Sequence, residues 1–167
     1  MKKFFVLSFL VLLLAVNSYA EFKRMFVIER SKNANIVCYD ACLSEDGTIN
    51  KETPVDAYWL LYAKKNGDRE ELSAFDKKAY GFKVKFNETN ENFDFILKAV
   101  KDKPMTINVY DNVPKTVIKI NDVDCFLEKV YIESKDGAFG IPKVSYYELY
   151  GSEISGGNPQ KQKIDVK

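Results

Sequence analysis

The sequence predicts a mainly β fold: a single antiparallel β-sandwich or β-barrel of about nine strands with one short helix. Three observations lead there. Short runs rich in Val, Ile, Tyr and Phe recur at spacings of roughly 8 to 12 residues. Turn-forming pairs such as Asp46-Gly47, Asn66-Gly67, Asn121-Asp122 and Asp136-Gly137 punctuate those runs. Beyond residue 20, one stretch alone carries a helical period.

In chain order, residues 1–20 read as a signal peptide. Lys2 and Lys3 give a basic start, Phe4 to Val16 an apolar stretch broken only by Ser8, and Ser18 and Ala20 the small residues a signal peptidase reads. The apolar stretch is shorter than the ~20 residues that span a bilayer, and no stop-transfer pattern follows. Cleavage after Ala20 is therefore expected, leaving no stable membrane anchor and a protein exported to the periplasm or the exterior. Met25 to Arg30 and Asn35 to Asp40 then alternate as strands joined by a tight connection at Ser31 to Ala34. Residues 43–54 form a polar loop. In Val55 to Ala63 the odd positions, Trp59 among them, share one face, and Asp56, Tyr58, Leu60 and Tyr62 the other. Glu70 to Tyr80 is the helical stretch, with Leu72, Phe75 and Ala79 spaced at three and four and Gly81 as a stop. Strands follow over 82–86, 93–99, 107–110, 116–120, 125–133 and 144–150. Residues 21–151 thus make one β-rich domain, and 152–167 a polar, flexible tail in which 162–166 has the alternation to add an edge strand.

Composition excludes several chemistries. Histidine is absent, which removes Ser-His-Asp and Cys-His pairs, the HExxH zinc site and any imidazole base. The 25 basic and 24 acidic residues nearly balance, so nothing marks a nucleic-acid partner. No motif calls for a cofactor, and the loop around Asp46-Gly47 fails as a calcium site because Thr53 stands where a bidentate Glu is needed. No metal site is expected. The three cysteines, in an exported chain, imply a disulfide. On one straight strand Cys38 and Cys42 would lie about 13 Å apart, beyond the roughly 4.4 to 6.8 Å a bridge tolerates. Unless the strand bends near Asp40, Cys125 pairs with Cys38 or Cys42.

The run Phe26-Val27-Ile28-Glu29-Arg30-Ser31-Lys32-Asn33-Ala34-Asn35-Ile36-Val37-Cys38-Tyr39-Asp40-Ala41, followed by Pro54-Val55-Asp56-Ala57-Tyr58-Trp59, resembles a family of exported bacterial proteins, the domain of unknown function 4833. The resemblance continues through Arg69-Glu70-Glu71-Leu72, Ala79-Tyr80-Gly81 and Pro142 to Gly151. It implies one exported domain, and it carries no activity or ligand to transfer. Cys38 and Cys42 fall outside the family's pattern, which argues against a shared thiol chemistry.

Candidate ligand-binding residues come from two places. Arg30, Asn33 and Asn35, with Tyr39 on the strand that follows, offer donors for a carboxylate, phosphate or sugar hydroxyl; turn chemistry explains the asparagines equally well. Asp56, Tyr58 and Trp59 have the make-up of a pocket mouth or of an aromatic core. Tyr131, Tyr146, Tyr147 and Tyr150, near Lys143, suggest a sugar-stacking platform. Glu70-Glu71 and Asp122-Asp124 are acidic pairs of the kind a glycosidase uses, though catalysis needs the two carboxylates facing each other about 5 to 10 Å apart. No catalytic residue stands out. The sequence favours a non-catalytic binding protein of the cell envelope or exterior, with an unidentified envelope ligand or protein as partner. A carboxylate-based hydrolase or transferase acting on envelope glycans, or a structural subunit, are the alternatives.

Overall fold

The computed structural model describes residues 21–135 and 143–166; the expected signal peptide and the Asp136-Gly137 turn lie outside them. Eleven strands form one sheet: β1 (Glu21–Arg30), β2 (Asn33–Leu43), β3 (Val55–Leu61), β4 (Asp68–Glu71), β5 (Phe82–Asn87), β6 (Asn92–Leu97), β7 (Met105–Tyr110), β8 (Val113–Ile120), β9 (Val123–Lys135), β10 (Lys143–Glu153) and β11 (Pro159–Asp165). A helical turn, α1 (Asp76–Ala79), and a 3-10 turn at Lys98–Val100 complete the described elements. Among the described residues no helix is long and apolar enough to cross a membrane.

Strand β9 organises the sheet. One of its edges carries β10 along nearly its whole length, and the other is shared by β8, along Val123 to Phe126, and β1, along Lys129 to Ile132. Two arms therefore leave β9: β1-β2-β3-β4 and β8-β7-β6-β5. They curl toward each other. The β1–β9 pairing is parallel, with Val27 opposite Lys129 and Arg30 opposite Ile132, so the sheet is mixed where an antiparallel one was expected.

The core fills the space between the arms. Phe26 stacks on Tyr39 at 4.5 Å and meets Phe95 edge-on at 6.0 Å, while Phe82 stacks on Phe95 at 5.4 Å. Period-2 alternation puts Val37, Tyr39, Ala41 and Leu43 of β2 on this inner face. Hairpins with Asp111-Asn112 and Asn121-Asp122 at positive φ join β7 to β8 and β8 to β9, as primed turns require.

The curl does not close, so the expected sandwich or barrel is corrected to an open half-barrel. Closure would need β4 to pair with β5. Strand β4 is four exposed residues, Asp-Arg-Glu-Glu, and β5 presents Lys83 and Lys85, charges that keep edges from pairing. Residues 72–81 run between these two edges instead. The helix expected over 70–80 shrinks to α1, because Glu70 and Glu71 pair with β3 and Phe75 stays 65% exposed rather than joining Leu72 in the core. Ser73 and Asp76 exchange reciprocal hydrogen bonds that start the turn. In the expected flexible tail, Pro159–Asp165 forms β11 against β10. These two strands, β4 and β11, raise the count from nine to eleven.

All three cysteines are free, buried thiols. Cys125 lies in the core, whereas Cys38 and Cys42 share the outer face of β2, which runs unbroken through both. The expected bridge from Cys125 is not formed, and the sheet itself lies between the partners.

Candidate functional site

Arg30 ends β1, and the two-residue turn Ser31-Lys32 returns the chain into β2 at Asn33. The turn is pinned to β9: the Ser31 amide donates to the Ile132 carbonyl at 3.0 Å, and the Ser134 amide donates to the Ser31 hydroxyl at 3.1 Å. So fixed, the Arg30 guanidinium lies 4.4 Å above the Trp59 ring and 5.9 Å from that of Tyr80. Its Nη1 donates to the Tyr80 hydroxyl at 3.4 Å and its Nη2 to Asn33 Oδ1 at 3.2 Å. Its Nε is buried and unpartnered among the described residues. Trp59 and Tyr80 meet edge-on at 5.2 Å, and the Tyr39 hydroxyl donates to the Tyr80 carbonyl at 2.5 Å.

Beside Arg30 opens a pocket of about 360 Å³. Arg30, Lys32, Lys78 and Lys98 border it together with one carboxylate, Asp76, which Ser73 already engages. Phe75, Ala79, Tyr80, Ile132, Val144 and Val166 supply apolar surface. Lys98 donates through Nζ to the Lys77 carbonyl at 2.8 Å, tying α1 to the 3-10 turn. Among the described residues Arg30, Lys78 and Lys98 have no carboxylate within ion-pair distance.

The predicted residues therefore divide. Arg30 lines the pocket with its guanidinium over the buried Trp59 ring, and Tyr39 is a buried brace behind Tyr80. Asn33 accepts from Arg30 and from the Asn35 amide, and Asn35 Oδ1 accepts from the Ala63 amide at 2.8 Å, so both asparagines shape the hairpin. Asp56 and Tyr58 lie on the opposite face. There Tyr58 donates to Asp40 Oδ2 at 2.7 Å and accepts from Arg24 Nη2 at 3.0 Å, and Arg24 Nε also bonds Asp40. Arg69 pairs with Asp56 at 2.7 Å and caps the Tyr58 ring at 3.8 Å. Burial works to lower the Arg24 pKa, but its hydrogen bond to Asp40 and the neighbouring charges outweigh this and raise it. Burial pushes the Cys38 and Cys42 thiols up to about 11.

The other sequence candidates are already engaged. Tyr131 and Tyr150 donate their hydroxyls to Glu133 and Glu148, Lys163 covers the Tyr146 ring at 3.8 Å, Lys129 and Lys161 lie over that of Tyr150 at 4.7 and 5.0 Å, and Tyr147 is in the core. The Glu133 hydrogen bond raises Tyr131 to about 12. Glu70 and Glu71 are held by Lys65 and Arg69. Asp122 and Asp124 border an open groove with Asp94, but Lys119 holds Asp124 at 2.9 Å. Among the described residues no three Cys, Asp or Glu side chains could hold a metal ion.

Sequence reasoning missed Lys78, Tyr80, Lys98, Ile132 and Val144 as pocket residues. Ala79-Tyr80-Gly81, already part of the family resemblance, was the available signal.

Fold and site together define a half-barrel β-domain with a cation-bordered pocket between its arms. The chain belongs to the domain of unknown function (DUF4833) family, whose sequence profile matches residues 26–163. Neither curated proteins nor solved structures give a match.

Proposed function

We propose that the chain is an exported, non-catalytic binding protein of the cell envelope or exterior, and that the Arg30 pocket is its ligand site. One observation carries this reading: three cations without carboxylate partners among the described residues border a concave, largely apolar pocket. At about 360 Å³ the pocket falls within the roughly 300 to 1,000 Å³ of small-molecule sites. Export is supported by the leader-like residues 1–20. A hydrolase reading would need two converging carboxylates, one with a raised pKa. Asp46 and Glu148 are lowered instead, by hydrogen bonds from Thr48 and Tyr150.

The test is native mass spectrometry of residues 21–167 isolated from the host's envelope fraction. A retained small molecule, lost in Ala79→Trp, which fills the pocket from the exposed face of α1, is the expected result. A bare chain in every preparation, or a ligand unaffected by Ala79→Trp, removes this pocket as the site. Amino-terminal sequencing beginning at Glu21 would confirm processing, and an intact Met1 terminus would remove the export reading.

A further inference from the structure

We infer that the Arg30 pocket takes a small amphiphile with one compact anionic head, carboxylate or phosphate, and a hydrocarbon part of about seven to nine carbons. This rests on the reading of the pocket as the ligand site and adds the ligand's class. The head is assigned by charge. Arg30, Lys78 and Lys98 come from β1, α1 and the 3-10 turn, three separate elements that converge positive charge on one cavity. The single acid among the described lining residues, Asp76, accepts from the Ser73 amide at 3.1 Å and from its hydroxyl, so the positive charge of the described lining is left for a ligand.

Arg30 is also preorganised. Stacking over Trp59 and hydrogen bonds to Tyr80 and Asn33 hold the guanidinium plane, so binding costs little side-chain entropy. The tail is assigned by the walls. Ile132, Val144 and Phe75 offer hydrocarbon and aromatic surface, and Phe75 is 65% exposed without a ligand. Covering such surface drives apolar association. Size follows from volume: 360 Å³ at roughly 30 Å³ per water-sized atom admits about a dozen non-hydrogen atoms, about three in a carboxylate head or about five in a phosphate head and the rest in the tail.

The experiment titrates residues 21–167, below micelle formation, with decanoate, decyl phosphate, decanol, decyltrimethylammonium and inorganic phosphate. The expected result is 1:1 binding of decanoate or decyl phosphate, at least tenfold tighter than decanol, weakening as salt screens the head. The tighter anion identifies the head. Lys78→Gln should weaken that anion about two- to fivefold, the scale of an exposed ion pair. Lys78 is exposed, so this variant keeps the fold where Lys98→Gln would untie α1 from the 3-10 turn and Arg30→Gln risks the stack on Trp59. Decanol binding as tightly as the anions, the cationic amphiphile binding tighter, or inorganic phosphate matching decyl phosphate would overturn the inference. If neutral or cationic probes bind and Ala79→Trp abolishes it, the pocket remains the site and only the anionic class falls. If no probe binds and Ala79→Trp leaves the native mass spectrum unchanged, both fall.

Discussion

Asp40 is the one buried charged side chain among the described residues, 5% exposed, and its removal tests how the outer face of β1 to β3 is held. Asp40→Ala leaves the Tyr58 hydroxyl and the Arg24 guanidinium without their acceptor. Breaking a fully buried pair costs about 3 to 5 kcal/mol, because the partner is left charged and dry. Arg24 is 37% exposed at its side chain and can turn toward water, so the cost should fall to about 2 to 3 kcal/mol. At roughly 2 to 4 °C per kcal/mol for a chain of this length, Tm drops by about 4 to 12 °C. Equilibrium urea unfolding of wild type, Asp40→Leu, Arg24→Met and the double variant Asp40→Leu/Arg24→Met, with Asp40→Ala alongside, measures the pair directly. Replacing both charges with apolar groups should bring stability back to within about 1 kcal/mol of wild type, giving a coupling of about 1 to 3 kcal/mol. Additive single-variant costs, or an Asp40→Ala cost under about 0.5 kcal/mol, would show a solvent-screened pair and refute the reasoning.

Three further outcomes follow from the packing. Cys38 and Cys42 titrate near 11 in the fold against 9.0 ordinarily; above pH 9 the unfolded chain sheds these protons first, so the stability they contribute is present below pH 9 and lost as pH rises toward 11. Urea unfolding should therefore show wild type losing stability faster than Cys38→Ala/Cys42→Ala across that window, by about 1 kcal/mol per pH unit per thiol; parallel slopes would contradict it. Gly151 sits where β10 slips register against β9, and a Cβ there would stand 2.4 Å from the Phe126 carbonyl oxygen, so Gly151→Ala should cost about 1 to 3 kcal/mol by denaturant titration. A neutral result would mean β9 can move aside. Phe95 is fully buried and touches Phe26, Tyr39 and Phe82; Phe95→Ala should cost about 3 to 5 kcal/mol in one transition, whereas separate melting of the two arms would deny them a common core.

Strand positions were legible because each strand carries its own signal. Val55, Ala57, Trp59 and Leu61 do face the core, with Tyr58 on the other side, since period-2 alternation is fixed by the backbone. The Asn121-Asp122 turn was legible because few residues tolerate positive φ. Strand order was not: nothing local in Val27 to Arg30 says that its neighbour is Lys129 to Ile132, a hundred residues away and parallel. Strand β4 was misread because Asp-Arg-Glu-Glu has helix-compatible charges and no apolar face. Its strand state comes from pairing with β3, a tertiary effect that overrides propensity.

The pocket was the least legible feature, and the reason is the same open curl that the sequence did not reveal. Ile132 and Val144 read as ordinary strand residues, and Lys78 and Tyr80 as part of a helix. They meet only because the arms fail to close. Had β4 paired with β5, residues 72–81 would have been reduced to a short connection, and Tyr80 would not lie over Arg30. The charges on β4 and β5 leave that gap, residues 72–81 cross it, and Tyr39 and Lys98 fasten the crossing at Tyr80 and Lys77. The open curl thus leaves room for the 72–81 crossing that borders the pocket, which ties the departure from a closed fold to the proposed site.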